Sequence, residues 1–391
     1  MSALDRPALD ADEIIAAARR SVGADDLGDD SLPGRLADLV AELDRRLDGP
    51  TRQQAALVIR GLLEQRLGLF EDHRRLPIGE ERIERPVIAF GEPRSGTTVL
   101  QMLLGCDPSS RLLEFWEVMR PSPPPGVSDP SERREQADED WREILELIPT
   151  WLISHPYNAM LGANPPECER LWAFDFRTLP PTAWWRVPGA QFPPVRLPQD
   201  HDAQYRLHRM VLQQLQYEAP ERRWVLKGTS HQHRLRALLD AYPDAAFVWI
   251  HRDPLPCIAS RFALVREVYG SITTTIDLRG LAAEIVETGI RSFTAEAEDP
   301  FADDPRIVHL TYQDVTSDPF RAVRDLYDRW DLPFSDGFDA AMRVWSAENP
   351  PNRFGRFTYS ADDLGTDLVE LDARLDPYRE RFAVPRERRE R

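Results

Sequence analysis

Cysteine is sparse in this chain: 391 residues hold only Cys106, Cys168 and Cys257, and no two form a C-x-x-C pair. That excludes a disulfide framework, and no ligand cluster with metal-site spacing stands out in the sequence. Long apolar runs are missing too, since none approaches the ~20 residues of a membrane span. The first residues, MSALDRPALDADEII, are acidic and lack the apolar centre of a secretory signal, so a soluble, cytoplasmic protein is expected. Positive charge is scarce: 49 Lys and Arg stand against 66 Asp and Glu, a net charge of -17. Such a balance argues against nucleic acid or an anionic membrane as partner. An anionic ligand would have to be held by a few well-placed cations.

What is present begins with Val87-Ile88-Ala89-Phe90-Gly91-Glu92-Pro93-Arg94-Ser95-Gly96-Thr97-Thr98. Val87 to Phe90 reads as a buried strand, Gly91 to Gly96 as a turn, and Thr97 onward as a helix with Val99, Leu100, Leu103 and Leu104 at helical spacing. A glycine-bearing turn between strand and helix aims backbone N–H groups at one spot, which makes a phosphate site. The spacing is that of a Walker loop, but Thr97 stands where that loop has its lysine, and the cation lies inside the turn at Arg94. Triphosphate hydrolysis is therefore not the expected use.

The hydrophobic content, 42%, is ample for a large core. Residues 1–85 read as helical: Asp10 with Glu13 is an N-cap signature, Leu36, Leu39, Leu43 and Leu47 mark one helix face, and Thr51 opens a third helix carrying Leu57, Val58, Leu62 and Leu63. Arg111–Phe115 suggests a second strand, Arg223–Lys227 a third, Ala245–Ile250 a fourth and Arg306–Tyr312 a fifth. Helices alternate with them, including Ser131–Leu147, so an α/β fold is predicted, a central parallel sheet flanked by helices in three layers. Between about 120 and 200 lies an irregular, proline-rich insertion with Trp151, His155, Tyr157, Trp172, Phe174, Phe176, Trp184, Trp185 and Phe192. It reads either as a small core of its own or as an aromatic acceptor pocket. His231-Gln232-His233 reads as helix surface.

Three predicted strand ends carry cations, Arg94, Lys227 and Arg252, which suits a ligand with more than one phosphate-like group. Arg252 and Ser260, eight residues on, suit one phosphate shared between a guanidinium fork and a hydroxyl. These residues resemble the sulfotransferases that use 3′-phosphoadenosine 5′-phosphosulfate, chiefly the bacterial branch, with protein tyrosine sulfotransferases as more distant relatives. The carriers are Pro93-Arg94-Ser95-Gly96-Thr97-Thr98, Leu226-Lys227-Gly228-Thr229, and His251-Arg252-Asp253-Pro254 with Ser260. Trp116-Glu117, the element Pro166-Glu167-Cys168-Glu169 after His155, and Tyr312-to-Asp314 add to them.

The resemblance spans about Arg85 to Val384 and implies a sulfotransferase domain over 86–391 after an N-terminal helical region. It implies that Arg94, Ser95, Gly96, Thr97 and Thr98 bind the 5′-phosphosulfate, that Arg252 and Ser260 bind the 3′-phosphate, and that Tyr312 borders the adenine. It also implies that Lys227 is catalytic and that no metal is required. Candidate bases for the acceptor proton are His155, Glu117 and Glu114, with His155 and Glu117 expected as a working pair. The acceptor is expected to be a small hydroxylated metabolite, lipid or glycoside, and a homodimer is possible. The alternatives are a nucleotide-dependent kinase, with Asp253 as a metal ligand, and a non-catalytic nucleotide-binding protein on the same fold.

Overall fold

The computed structural model describes residues 9–187, 199–272 and 277–387. Five strands form: β1 Val87–Phe90, β2 Ser110–Leu112, β3 Arg223–Gly228, β4 Ala246–His251 and β5 Ile307–Thr311. All neighbours are parallel, in the order β2-β3-β1-β4-β5. Helices flank the sheet, so the predicted α/β architecture is found. β1 is central and every one of its residues is buried, which only an uninterrupted apolar run tolerates. The second strand ends earlier than predicted, because Phe115 already begins the helix Phe115–Met119.

The topology places the site. The chain leaves β1 for β2 and β3 on one side, then crosses to β4 and β5 on the other, so strand order reverses at β1. A crevice opens at such a reversal, past the carboxyl ends of the strands. The register sets Ala89 beside Lys227 and Phe90 beside Trp249. The Gly91-to-Gly96 turn, Lys227 and Arg252 therefore lie past three adjacent strands at the same edge. Beneath them Val87, Ala89, Val225, Val248 and Ile250 pack with Leu100, Leu103, Leu104, Val323 and Leu326, all buried. Each such large side chain contributes ~1.5–3 kcal/mol.

The chain groups into two units, one within Met1–Ile83, Glu114–Asp140 and Cys168–Glu221, the other within Glu84–Leu113, Trp141–Glu167 and Arg222–Arg391. In the first, Asp10 caps Ala11–Val22 by accepting the Asp12 and Glu13 N–H groups at 2.9 and 3.0 Å. The third helix opens at Gly49 rather than Thr51, because Asp48 caps it and accepts the Thr51 N–H at 3.0 Å. Leu57 lies on its outer face, 53% exposed, while Ile59, Leu62 and Leu63 point inward. Trp172, Phe174, Phe176 and Trp184 are wholly buried in this unit, so these four are core rather than pocket lining. Trp151, His155 and Tyr157 belong to the second unit. Phe192 lies outside the described residues. Among the described residues no helix is long and apolar enough to cross a membrane.

Candidate active site

The turn after β1 is built on backbone conformations that few residues adopt. Gly91 has φ +152°, and a Cβ there would sit 2.3 Å from the Ile250 carbonyl oxygen, so no side chain fits. Arg94 itself is left-handed, φ +76°, and its carbonyl accepts Arg252 Nη1–H at 2.7 Å. Gly96, φ +95°, begins the helix Thr97–Leu104 and gives it no side-chain cap. The first N–H groups of that helix thus face the turn with the positive end of the dipole. Ser95 Oγ is wholly buried and has no hydrogen-bond partner, an unsatisfied polar atom inside the turn. Thr97 is buried and Thr98 half-buried at the helix start.

Arg94 donates Nε–H to Ser260 Oγ at 3.1 Å and Nη1–H to the Ser154 carbonyl at 3.1 Å. Burial, and then the neighbouring Arg252 charge, press its guanidinium below the ordinary range. Ser260, expected beside Arg252, is handed to Arg94, and Arg252 reaches the loop through the Arg94 carbonyl instead. Arg252 is itself engaged by the carboxylate of Glu387, Nε to Oε1 at 2.6 Å and Nη2 to Oε2 at 2.9 Å. Its Nη2 also donates to Tyr359 Oη at 3.0 Å, and its plane lies 4.2 Å from the Tyr312 ring centre. Burial works against the Arg252 charge, but the Glu387 bonds outweigh it and hold the group above its usual pKa. A cavity of about 370 Å³ opens here, between Arg252, Tyr312, Gln313 and the segment Val384 to Glu387.

Lys227, 4% exposed, donates Nζ–H to Glu167 Oε1 at 3.0 Å. Glu167, 44% exposed in its side chain, carries no role from sequence reasoning although it stands in the Pro166-Glu167 element. That element was the signal available. Nothing local announced Glu387 or Tyr359, whose contacts with Arg252 span 135 and 107 residues.

His155 stacks on Trp151, ring centres 4.9 Å apart. Ser154 donates its hydroxyl to the Trp151 carbonyl at 3.1 Å, so its oxygen is left to accept from His155 Nδ1 at 3.0 Å. This puts the ring proton on Nδ1 and the lone pair on Nε2. Burial, then the charges of Arg94 and Lys227, lower the His155 pKa well below the ordinary imidazole value. The ring is neutral at pH 7, as a base must be.

Glu114 and Glu117 lie in the first unit and serve their own helix start. Glu117 Oε2 accepts the Glu114 N–H at 2.9 Å, and the Glu114 side chain accepts the Glu117 N–H in return, a capping box. This capping box accompanies the burial of Glu117. Asp253, the metal ligand of the kinase alternative, accepts Arg379 Nε–H and Nη2–H at 2.9 and 2.7 Å and the Glu387 N–H at 2.8 Å. A carboxylate so engaged is poorly placed for a nucleotide-bound metal. Cys257 is buried, which raises its thiol pKa and leaves it inert. His231 and Gln232 are wholly buried, not surface, because the short turn His231–Arg234 packs inward.

The fold agrees with the comparisons. The sulfotransferase family model matches residues 86–336, and the chain belongs to that family. Omega-hydroxy-beta-dihydromenaquinone-9 sulfotransferase Stf3 of Mycobacterium bovis is 30% identical over 129 residues, 32% of this chain and 33% of that protein. The same match holds for Stf3 of Mycobacterium tuberculosis. The aligned part thus spans about a third of these curated relatives. Among solved structures, sulfotransferase STF9 from Mycobacterium avium aligns at TM-score 0.79 with 26% identity, covering 98% of this chain and 99% of its own. STF1 from Mycobacterium tuberculosis aligns at 0.69 with 26% identity, over 94% and 98%.

Proposed function

We propose that the protein transfers a sulfuryl group from 3′-phosphoadenosine 5′-phosphosulfate to a hydroxyl of a small-molecule or lipid acceptor. The observation that carries this reading is the set Lys227, Arg94 and Arg252 at the ends of the three adjacent strands β3, β1 and β4. The unsatisfied Ser95 hydroxyl and the uncapped helix start fit a phosphosulfate group held by Ser95, Gly96, Thr97 and Thr98. Arg252, with Ser260 behind Arg94, serves the 3′-phosphate, and Tyr312 borders the base. Arg94 and Lys227 take up the negative charge that grows as the S–O bond to phosphate breaks and the bond to the acceptor oxygen forms. His155 Nε2 receives the acceptor proton. The hydroxylated menaquinone in the name of the Stf3 relatives makes a hydroxylated lipid a first acceptor class to try. Incubation with labelled donor and such acceptors tests the reading, and transfer of phosphate from ATP with Mg²⁺ instead would overturn it.

His155→Ala is expected to lower kcat by ~10²–10⁴-fold, the span for losing a general base. The pH profile carries a further sign. An unperturbed imidazole loses its base form near pH ~6.5. Since the His155 pKa is lowered, the base form persists to more acidic pH, and the acid limb of kcat lies below that value. A variant with wild-type turnover removes His155 from the reaction.

Glu387 sits on Arg252 as a carboxylate where a phosphate is proposed to bind. The pair is partly exposed, Glu387 to 32%, so its worth is modest, ~1 kcal/mol. Glu387→Gln should tighten adenosine 3′,5′-bisphosphate binding by ~5-fold as measured by calorimetry. Unchanged or weaker binding would mean that the tail does not compete.

A further inference from the structure

Glu92 precedes Arg94 in the Gly91-to-Gly96 turn, and its side chain has hydrogen bonds with groups other than the cations just described. It meets His233, from the turn after β3, and Glu296, from the helix Leu278–Glu298. His233 Nε2 lies 3.0 Å from Glu92 Oε1 and 3.7 Å from Glu296 Oε1. One donor atom from each of the three falls within 4.8 Å of the others. Around a divalent ion with ligands at ~2.0–2.2 Å, neighbouring donors are ~3.0–3.5 Å apart, so the observed spacings need little adjustment.

A second observation points the same way. Glu296 is 1% exposed, and neither of its carboxylate oxygens has a hydrogen-bond partner of good geometry, although Glu92, Gln232 and Tyr378 lie beside it. Two carboxylates at the same buried spot repel each other unless a positive species lies between them. The bond and charge of His233 act on Glu92 first, and the Arg261 charge adds to them more weakly. Ser292 Oγ stands 2.7 Å from Glu92 Oε1 and 3.0 Å from His233 Nε2, placed as an orienting partner or a fourth oxygen. The His233 side chain is 30% exposed, which gives a route from solvent.

We propose that Glu92, His233 and Glu296 bind one divalent first-row cation, zinc or manganese, that ties the phosphate turn to the turn after β3 and to the helix Leu278–Glu298. Two carboxylates and one imidazole are a donor set both ions accept. The role is structural: the cation fixes Glu92, two residues from Arg94, and takes no part in the transfer. The competing occupant is a proton. Without a cation, burial and the adjacent Glu92 charge push the Glu296 carboxyl well above its usual range, so it keeps a proton. A bound metal displaces that proton.

The test uses the full chain, stripped with chelator, dialysed, and titrated with Zn²⁺ and separately Mn²⁺ by calorimetry in two buffers of different ionisation enthalpy. The expected result is one equivalent bound, with proton release and a raised unfolding temperature. Glu296→Gln and His233→Gln, with folding checked by circular dichroism, should each weaken binding by more than the ~10–100-fold typical of an outer-shell change. Cobalt absorption in the visible gives a readout independent of either variant. No stoichiometric binding by the wild-type chain, or equal binding by both variants, overturns the proposal and leaves a carboxyl pair sharing a proton.

Discussion

Lys227→Ala is expected to lower kcat by ~10²–10³-fold while the donor KM and the affinity for adenosine 3′,5′-bisphosphate stay within a few-fold of wild type. The reason lies in when its charge is needed. In the resting protein the ammonium is already neutralised by Glu167 at 3.0 Å. It gains a better partner only when charge builds on the leaving oxygen, and such an interaction lowers the barrier rather than deepening ground-state binding. The variant should fold, because the Glu167 it strands is 44% exposed and can be solvated. Stopped-flow single turnovers separate the chemical step from product release. If KM rises and kcat is preserved, Lys227 binds the ground state and another group carries the charge. Lys227→Arg keeps the charge in a broader, planar head and should recover part of the rate.

Arg252→Ala is expected to weaken adenosine 3′,5′-bisphosphate by ~2–4 kcal/mol, the loss for removing one partner of a buried charged hydrogen bond. That is ~30- to 1000-fold. AMP, which has no 3′-phosphate, should lose much less, so calorimetry reads the ratio of the two affinities. Some loss for AMP is expected, since Arg252 Nη1 also holds the Arg94 carbonyl at 2.7 Å and with it the left-handed turn. Arg252→Lys retains a charge but not the fork, and should fall between. Equal losses for both nucleotides would mean that Arg252 only supports the loop and that the 3′-phosphate is bound elsewhere.

The sheet and the turn from β1 into the next helix were legible because their causes are local. A strand buried on both faces has to be apolar residue by residue, as Val87-Ile88-Ala89-Phe90 is, and a turn pressed against a neighbouring backbone has to be glycine, as Gly91 is. Parallel order follows from alternation of strands and helices, and it alone puts Arg94, Lys227 and Arg252 at one edge. Caps are local too, and Asp10 was readable for that reason.

Partnership was not legible. Ser260 goes to Arg94 rather than Arg252, and the second fork of Arg252 goes to Glu387, 135 residues away. Trp172, Phe174, Phe176 and Trp184 look like pocket aromatics by composition but are core by burial. Period and composition do not say which apolar surface covers which. His233 reads as helix surface, and no motif or period ties it to Glu92 or Glu296. The sequence by itself determined the elements, the turn and the three cations, because backbone geometry and side-chain period act over a few residues. Only the tertiary structure decided the pairs, because a buried charge takes whichever partner the packed chain brings within hydrogen-bond reach, however distant in sequence.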